Sequence, residues 1–338
     1  MQKFLAACFM LLCCTQASAE PSQATLFKVF FSVVQIHVEN KDGEHGVGSG
    51  IVVAPDHIAT NCHVLANARG IIAAQGEDNY RPVALKADWR HDLCLLKFDG
   101  LALKPVVLGE TANIKYEQAI FSLGHSGGQV APAMSLGRIK ALYSLDDGQI
   151  IRTSARFSMG ASGSALFDEE GKLLGINTFK SPGQKGFFYA LPVEWVKALF
   201  NAPEVAVASA SELPFWDAPE EKRPFFMRVV PYLQAQQWEP LKNVAQQWTE
   251  KEANSAEAWY YLGLAETRLN DETMASQHLH KAVALNSQHA DALYELGIIA
   301  ASHSDKNEMQ RINLALYQIN DEMADAFRKV VGCAQSCQ

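Results

Sequence analysis

Apolar and polar positions change period once along this chain, close to residue 200. Between 33 and 191 the apolar residues come in short runs. Val34, Ile36 and Val38 alternate with polar neighbours, and Ile51 to Val53 follows Gly48-Ser-Gly50. Further runs lie near 81–86, 93–98, 118–123, 134–142, 149–154, 164–167, 172–178 and 186–191, many separated by Gly, Asp, Asn or Pro. Runs of this length between turn formers read as β-strands, and about a dozen of them without long helices between suit an all-β pair of barrels. Pro192 then opens a predicted helix over 193–200, where a proline at the first turn forfeits no hydrogen bond. Residues 201–224 carry Pro203, Pro214, Pro219 and Pro224 and read as a semi-extended linker.

Beyond the linker the period becomes helical, and the chain repeats itself. Ala258-Trp259-x-x-Leu262-Gly263 returns as Ala292-Leu293-x-x-Leu296-Gly297, an offset of 34. Ala275, Leu279 and Ala282 fall between them, followed by a break at Leu285-Asn-Ser-Gln-His-Ala290. The pattern resembles tetratricopeptide repeats, with one unit at 256–289, a second at 290–323 and a degenerate one upstream. Stacked units of this kind need about three members to bury their faces. The predicted organisation is therefore a signal segment over 1–19, a β domain over 20–200, a linker over 201–224, a helical repeat domain over 225–325 and a tail over 326–338. The fold class is multidomain β plus α, a double β-barrel followed by an α-helical solenoid.

Composition narrows the setting. Lys3, the apolar stretch Phe4 to Cys14 and Ala17-Ser-Ala19 form a secretory signal with cleavage expected after Ala19, too short to span a bilayer. Export to the periplasm or the medium is expected, with no stable membrane anchor. Four of the seven cysteines remain after that cleavage, and an exported chain with an even count can oxidise them. The preferred pairings are Cys62–Cys94 and Cys333–Cys337, with buried reduced thiols the alternative for the first pair. Residues 20–200 hold 17 Lys plus Arg against 18 Asp plus Glu, whereas 201–338 hold 11 against 19. Neither half offers a basic patch, so nucleic acid is not an expected partner.

The candidate chemistry lies in three places. Arg156-Phe-Ser-Met-Gly-Ala-Ser-Gly-Ser164 contains Gly160-x-Ser162-Gly163 just before an apolar run. Upstream, Thr60-Asn-Cys-His63-Val64 closes one apolar run, and His91-Asp92 opens another, Leu93 to Leu96. A carboxylate entering a buried strand needs a strong partner, and His63 is the candidate. Asp88 and Asp56 are rival carboxylates. His63 as general base, Asp92 as its orienting acid and Ser162 as nucleophile follow one another in the order of the chymotrypsin-type double barrel. The glycines let the loop turn sharply enough for the amides of Gly160 and Ser162 to meet a substrate carbonyl oxygen.

Over residues 25–200 the chain resembles the trypsin-like HtrA (Deg) family of exported serine proteases. The resemblance rests on Gly48-Ser-Gly50, Thr60-Asn-x-His63-Val64, Asp88-x-x-x-Asp92-Leu93, Leu123-Gly124, Gly160-x-Ser162-Gly163, Gly175-Ile-Asn-Thr178 and Tyr189-Ala-Leu-Pro192. It implies two six-stranded barrels with His63, Asp92 and Ser162 in the cleft between them. It also implies endopeptidase activity on protein or peptide substrates with no cofactor or metal. By the same resemblance the specificity pocket would draw on Arg156, Asn177, Thr178, Phe179 and Gly186. Ser164 and Met159 depart from the family pattern, and helical repeats stand where a PDZ domain would. These repeats are expected to recruit a substrate or partner protein through a groove. The competing reading is a catalytically silent barrel serving as a scaffold for the repeats.

Overall fold

The computed structural model describes residues 20–181, 186–206 and 212–332. The expected signal segment and the pair Cys333–Cys337 lie outside the described residues. Helix α1 (Gln23–Phe30), which the sequence reading did not anticipate, precedes the first sheet. Ser22 caps it by accepting from the Thr25 amide at 3.0 Å.

Two mainly antiparallel sheets follow. The first comprises β1 (Val33–Asn40), β2 (His45–Ala54), β3 (His57–Thr60), β4 (Ala68–Gln75), β5 (Asp78–Tyr80), β6 (Ala84–Asp88) and β7 (Leu93–Lys97), in the order β5-β4-β1-β2-β3-β7-β6. The second comprises β8 (Val107–Leu108), β9 (Ala119–Gly124), β10 (Ala133–Leu145), β11 (Gly148–Thr153), β12 (Ser164–Asp168), β13 (Lys172–Lys180) and β14 (Phe188–Pro192). Its order is β12-β9-β10-β11-β14-β13-β8, and a further β12–β13 pairing closes the ring, leaving β8 as a parallel addition to β13. A closed ring leaves no exposed edge among its members.

Strand β7 shows why its sequence is a continuous apolar run instead of an alternation. Cys94 and Leu96 enter the core of the first sheet with Val34, Ile36 and Ile58. Leu93 and Leu95, one residue out of phase, enter the core shared with the second sheet. Both faces are buried, so both must be apolar.

Strand β4 was not anticipated, and a 3-10 turn over Cys62–Leu65 precedes it. The amides of Cys62 and His63 donate to the Asp92 carbonyl and carboxylate, tying the start of this segment to the loop before β7.

Helix α2 (Val193–Leu199) closes the second sheet. Seven helices follow among the described residues: α3 (Phe225–Gln234), α4 (Trp238–Lys251), α5 (Ala256–Arg268), α6 (Glu272–Leu285), α7 (Ala290–Ser302), α8 (Lys306–Ile319) and α9 (Asp321–Val330). The pairs α5–α6 and α7–α8 begin 34 residues apart, the offset read from the sequence. Small residues at the repeated positions permit close approach. A Cβ on Gly263 would lie 2.7 Å from Leu279 of α6, and one on Gly297 would lie 2.3 Å from the Phe327 ring of α9. Phe327 is fully buried, which is why α9 runs on beyond residue 325, where a tail was expected.

The helices do not stand apart from the second barrel. Its core continues from Phe121, Tyr143 and Tyr189 into Phe226, Val229, Trp248 and Tyr261. Part of the expected linker is built into the same mass. Val205 pairs with Leu85 at the β6 edge, and Phe215 is buried. No described helix is long and apolar enough to cross a membrane.

Candidate active site

His63 lies in the 3-10 turn after β3, and Asp92 occupies the last loop position before β7. Asp92 adopts a φ of 58°, left-handed backbone that few residues other than Gly, Asn and Asp enter readily. Its amide donates to the Trp89 carbonyl at 3.1 Å, closing the loop. The carboxylate is 1% exposed. It accepts from the His63 amide at 2.7 Å through Oδ1 and from His63 Nδ1 at 2.6 Å through Oδ2. Two donors on the same residue fix both the turn and the imidazole plane, and they select the tautomer that leaves Nε2 unprotonated in the neutral ring.

The two rival carboxylates are engaged elsewhere. Asp56 bonds His57 Nδ1 at 2.7 Å, and Asp88 bonds His91 Nδ1 at 2.6 Å. Cys62, beside His63, and Cys94, within β7, are joined by a disulfide across the same junction.

Ser162 sits in the loop before β12. Gly160 and Gly163 on either side have φ of 87° and 86°. At Gly163 a Cβ would stand 2.1 Å from the Ser49 carbonyl oxygen, so glycine is required for space as well as for conformation. Ser162 is tied to the first barrel by its carbonyl, which accepts from the Ser49 amide at 2.8 Å. The Met159 carbonyl accepts from the Gly127 amide at 2.7 Å. In a trans peptide C=O and N–H point in opposite directions, so this bond turns the Gly160 N–H away from Gly127. Among the described residues neither the Gly160 nor the Ser162 amide donates to a protein group. The Ser162 hydroxyl donates to the Thr178 carbonyl at 3.5 Å, not to His63.

The departures Ser164 and Met159 leave this arrangement alone. Ser164 is fully buried, and a Cβ on Gly124 would meet its Cβ at 2.1 Å, which accounts for Leu123-Gly124. The Met159 side chain is 89% exposed.

The expected pocket residues separate into two groups. Asn177 is buried and donates to the Ser122 and Ser164 hydroxyls at 2.7 and 3.0 Å, an internal tie of the second barrel. Thr178 Oγ1 donates to the Ile176 carbonyl and accepts from Asn61 Nδ2 at 2.8 Å. Phe179 is buried and stacks on Tyr189 with ring centroids 4.7 Å apart. Arg156 and Gly186 instead border a cleft of about 440 Å³ whose other wall is helical, formed by Leu233, Tyr260, Leu264 and Asp291.

Two residues near Asp92 escaped the sequence reading. Asn61 Nδ2 bridges the Asp92 carbonyl at 2.9 Å and Thr178, joining the barrels behind the site. Its place beside His63 in Thr60-Asn-x-His63 was the available signal. Trp216 Nε1 donates to Asp92 Oδ2 at 3.1 Å from the segment read as a linker, and no local pattern marked it.

Residues 48–176 match the family model described as the trypsin-like peptidase domain. A probable periplasmic serine endoprotease, DegP-like, of Ectopseudomonas mendocina is 31% identical over 156 residues, which cover 44% of this chain and 33% of that protein. A protein of the same description from Halomonas elongata is 27% identical over 164 residues, 46% of this chain and 34% of its own. The chain thus spans about a third of the length of the curated relatives it matches. A protease of M. tuberculosis, solved in its active form, superposes with a TM-score of 0.51 at 22% identity, covering 57% of this chain and 94% of that one, and shares the fold.

Proposed function

From the match of residues 48–176 to the trypsin-like peptidase domain, we propose that this chain is an exported serine endopeptidase acting through His63, Asp92 and Ser162. The observation that carries the reading is the His63–Asp92 pair at 2.6 Å; a glycine-flanked serine follows it along the chain, in an order typical of the double barrel. His63 Nε2 takes the Ser162 proton as Oγ attacks the scissile carbonyl carbon. The resulting oxyanion is met by the amides of Gly160 and Ser162, each such donor typically supplying about 10²–10³ in rate. Collapse expels the amine, which leaves with the proton from His63. Water then cleaves the acyl-enzyme, with His63 again accepting the proton. For this the Ser162 hydroxyl must leave the Thr178 carbonyl, which rotation about χ1 allows.

The apolar leader at 1–19 and the periplasmic description of the relatives support export. Repeat residues share the cleft that holds Arg156 and Gly186, which supports a role for the helices in receiving the substrate chain. The full protein should be labelled by a fluorophosphonate and should cleave unfolded protein. Ser162→Ala should abolish labelling and lower turnover on the order of 10⁶-fold. Absence of labelling in the native protein, or labelling that survives Ser162→Ala, rejects the enzyme.

The Ser162–Thr178 bond favours one second reading, a silent barrel that presents the repeats. A native chain that binds unfolded protein without cleaving it would establish that reading.

A further inference from the structure

Resting on the protease reading above, we propose that Trp216 is a positioning residue of the catalytic centre. In this view the segment Pro214–Asp217 clamps the His63–Asp92 pair and forms one wall of the substrate cleft. Trp216 Nε1 donates to Asp92 Oδ2 at 3.1 Å, the oxygen that also accepts from His63 Nδ1. The indole meets the His63 ring edge-on with centroids 5.5 Å apart, and its other neighbour is Phe179 of β13, stacked at 5.7 Å. One side chain therefore touches the base, the orienting carboxylate and the opposite barrel.

The backbone around it is equally committed. The Phe215 amide donates to the Arg90 carbonyl at 2.9 Å, inside the loop that presents Asp92. The Phe215 ring is buried against Phe179, with centroids 5.8 Å apart and planes at 81°. Pro214, at φ −67°, sets the entry to the 3-10 turn Phe215–Asp217. The hydroxyl of Thr178 is occupied by Ile176 and Asn61, so the third donor to this buried carboxylate comes from the segment beyond the barrel.

An indole N–H on a carboxylate is a charge-assisted bond. It disperses charge on Oδ2 and holds that oxygen in line with Nδ1. Loss of the bond leaves one carboxylate lone pair unmet in a site closed to water. The ring face beside His63 also limits the side chain that a bound substrate can place there.

The test uses the full chain, with active sites titrated by a fluorophosphonate burst. Trp216→Phe keeps a ring and removes the donor, whereas Trp216→Ala removes both. Trp216→Phe should lower kcat about tenfold or more while KM stays within about twofold, as expected for loss of a hydrogen bond to a charged group. Trp216→Ala should lose kcat alike. It should also accept chromogenic tripeptides whose middle residue is enlarged from Gly to Phe, which native protein should reject. The downfield proton resonance of His63 Nδ1–H should move in Trp216→Phe, a readout that needs no turnover. An unmoved resonance, or native kcat per titrated site, overturns the clamp. A moved resonance in a chain that no fluorophosphonate labels would leave the clamp standing and reject the protease reading.

Discussion

His91 precedes Asp92 in the chain yet belongs to a separate device. Its Nδ1 bonds Asp88 at 2.6 Å and its Nε2 bonds Asp146 of the β10–β11 turn at 2.8 Å, while the ring lies against Trp195 with centroids 3.9 Å apart. Burial alone would push its pKa down, but the two carboxylates outweigh burial and raise it. Asp88 is lowered because bonds from His91 overcome its own burial, and Asp146 is lowered first by His91 and also by Arg90. A raised imidazole contributes stability fully below its ordinary value of about 6.5, and that contribution fades as pH rises through the higher folded value. Lowered carboxylates contribute above their ordinary value of about 4 and lose it as pH falls through the folded values. The bridge between the barrels is thus complete near pH 5–6. His91→Gln should depress the melting temperature most in that window, and the gap from native should narrow by pH 9. A gap that widens toward pH 9 would contradict the bridge. At this scale the residue types of the site were legible, because a histidine, a carboxylate and a glycine-flanked serine leave local marks. Trp216 was not, because an indole does not by itself signal a carboxylate partner, and Asn61 had only its place beside His63 to mark it.

Between elements, the junction of the 3-10 turn Cys62–Leu65 with β7 brings base and carboxylate together. The Cys62–Cys94 disulfide closes that junction across a sequence separation of 32. A loop of that length restricts the unfolded chain enough to contribute about 2–4 kcal/mol. Cys62→Ala with Cys94→Ala should therefore lower the urea-unfolding free energy by about that amount. The reduced thiol reading predicts no difference between native protein and protein treated with reductant. Element type was readable where one face alone is buried, and the 34-residue repeat was visible because its small residues recur at each close helix contact. Strand β4 escaped because its Arg69-Gly70 interrupts the apolar alternation. The exposed Arg69 pairs with Glu39 on β1, a cross-strand contact with no local signature.

For the whole molecule, the second barrel and the helical array act as one body. Arg152 of β11, 5% exposed, donates to the Tyr261 hydroxyl of α5 at 2.7 Å and pairs with Asp291 of α7 at 3.5 Å. Tyr116 donates to Glu257 at 2.9 Å, and His289 pairs with the same carboxylate at 3.2 Å. Burial pushes Glu257 up, but His289 and Arg152 prevail and lower its pKa. Farther along, Asn320 donates to Glu117 at 2.7 Å. Removing one member of such a buried ionic network strands the rest, at a cost of about 3–5 kcal/mol. Arg152→Met should lose stability on that scale and split a single unfolding transition into two, seen by calorimetry. A single unshifted transition would mean that the two parts are not coupled through this contact.

Local chemistry determined much of this protein in advance. Strand and helix periods, the turn glycines, the repeat and the ordered His, Asp and Ser are all written in neighbouring residues, since backbone geometry responds to its nearest side chains. Tertiary structure alone decided that the helices share a core with the second barrel and that an indole 124 positions away lies on Asp92. Those contacts depend on where whole elements come to rest, and packing of that kind leaves no period in the chain to read.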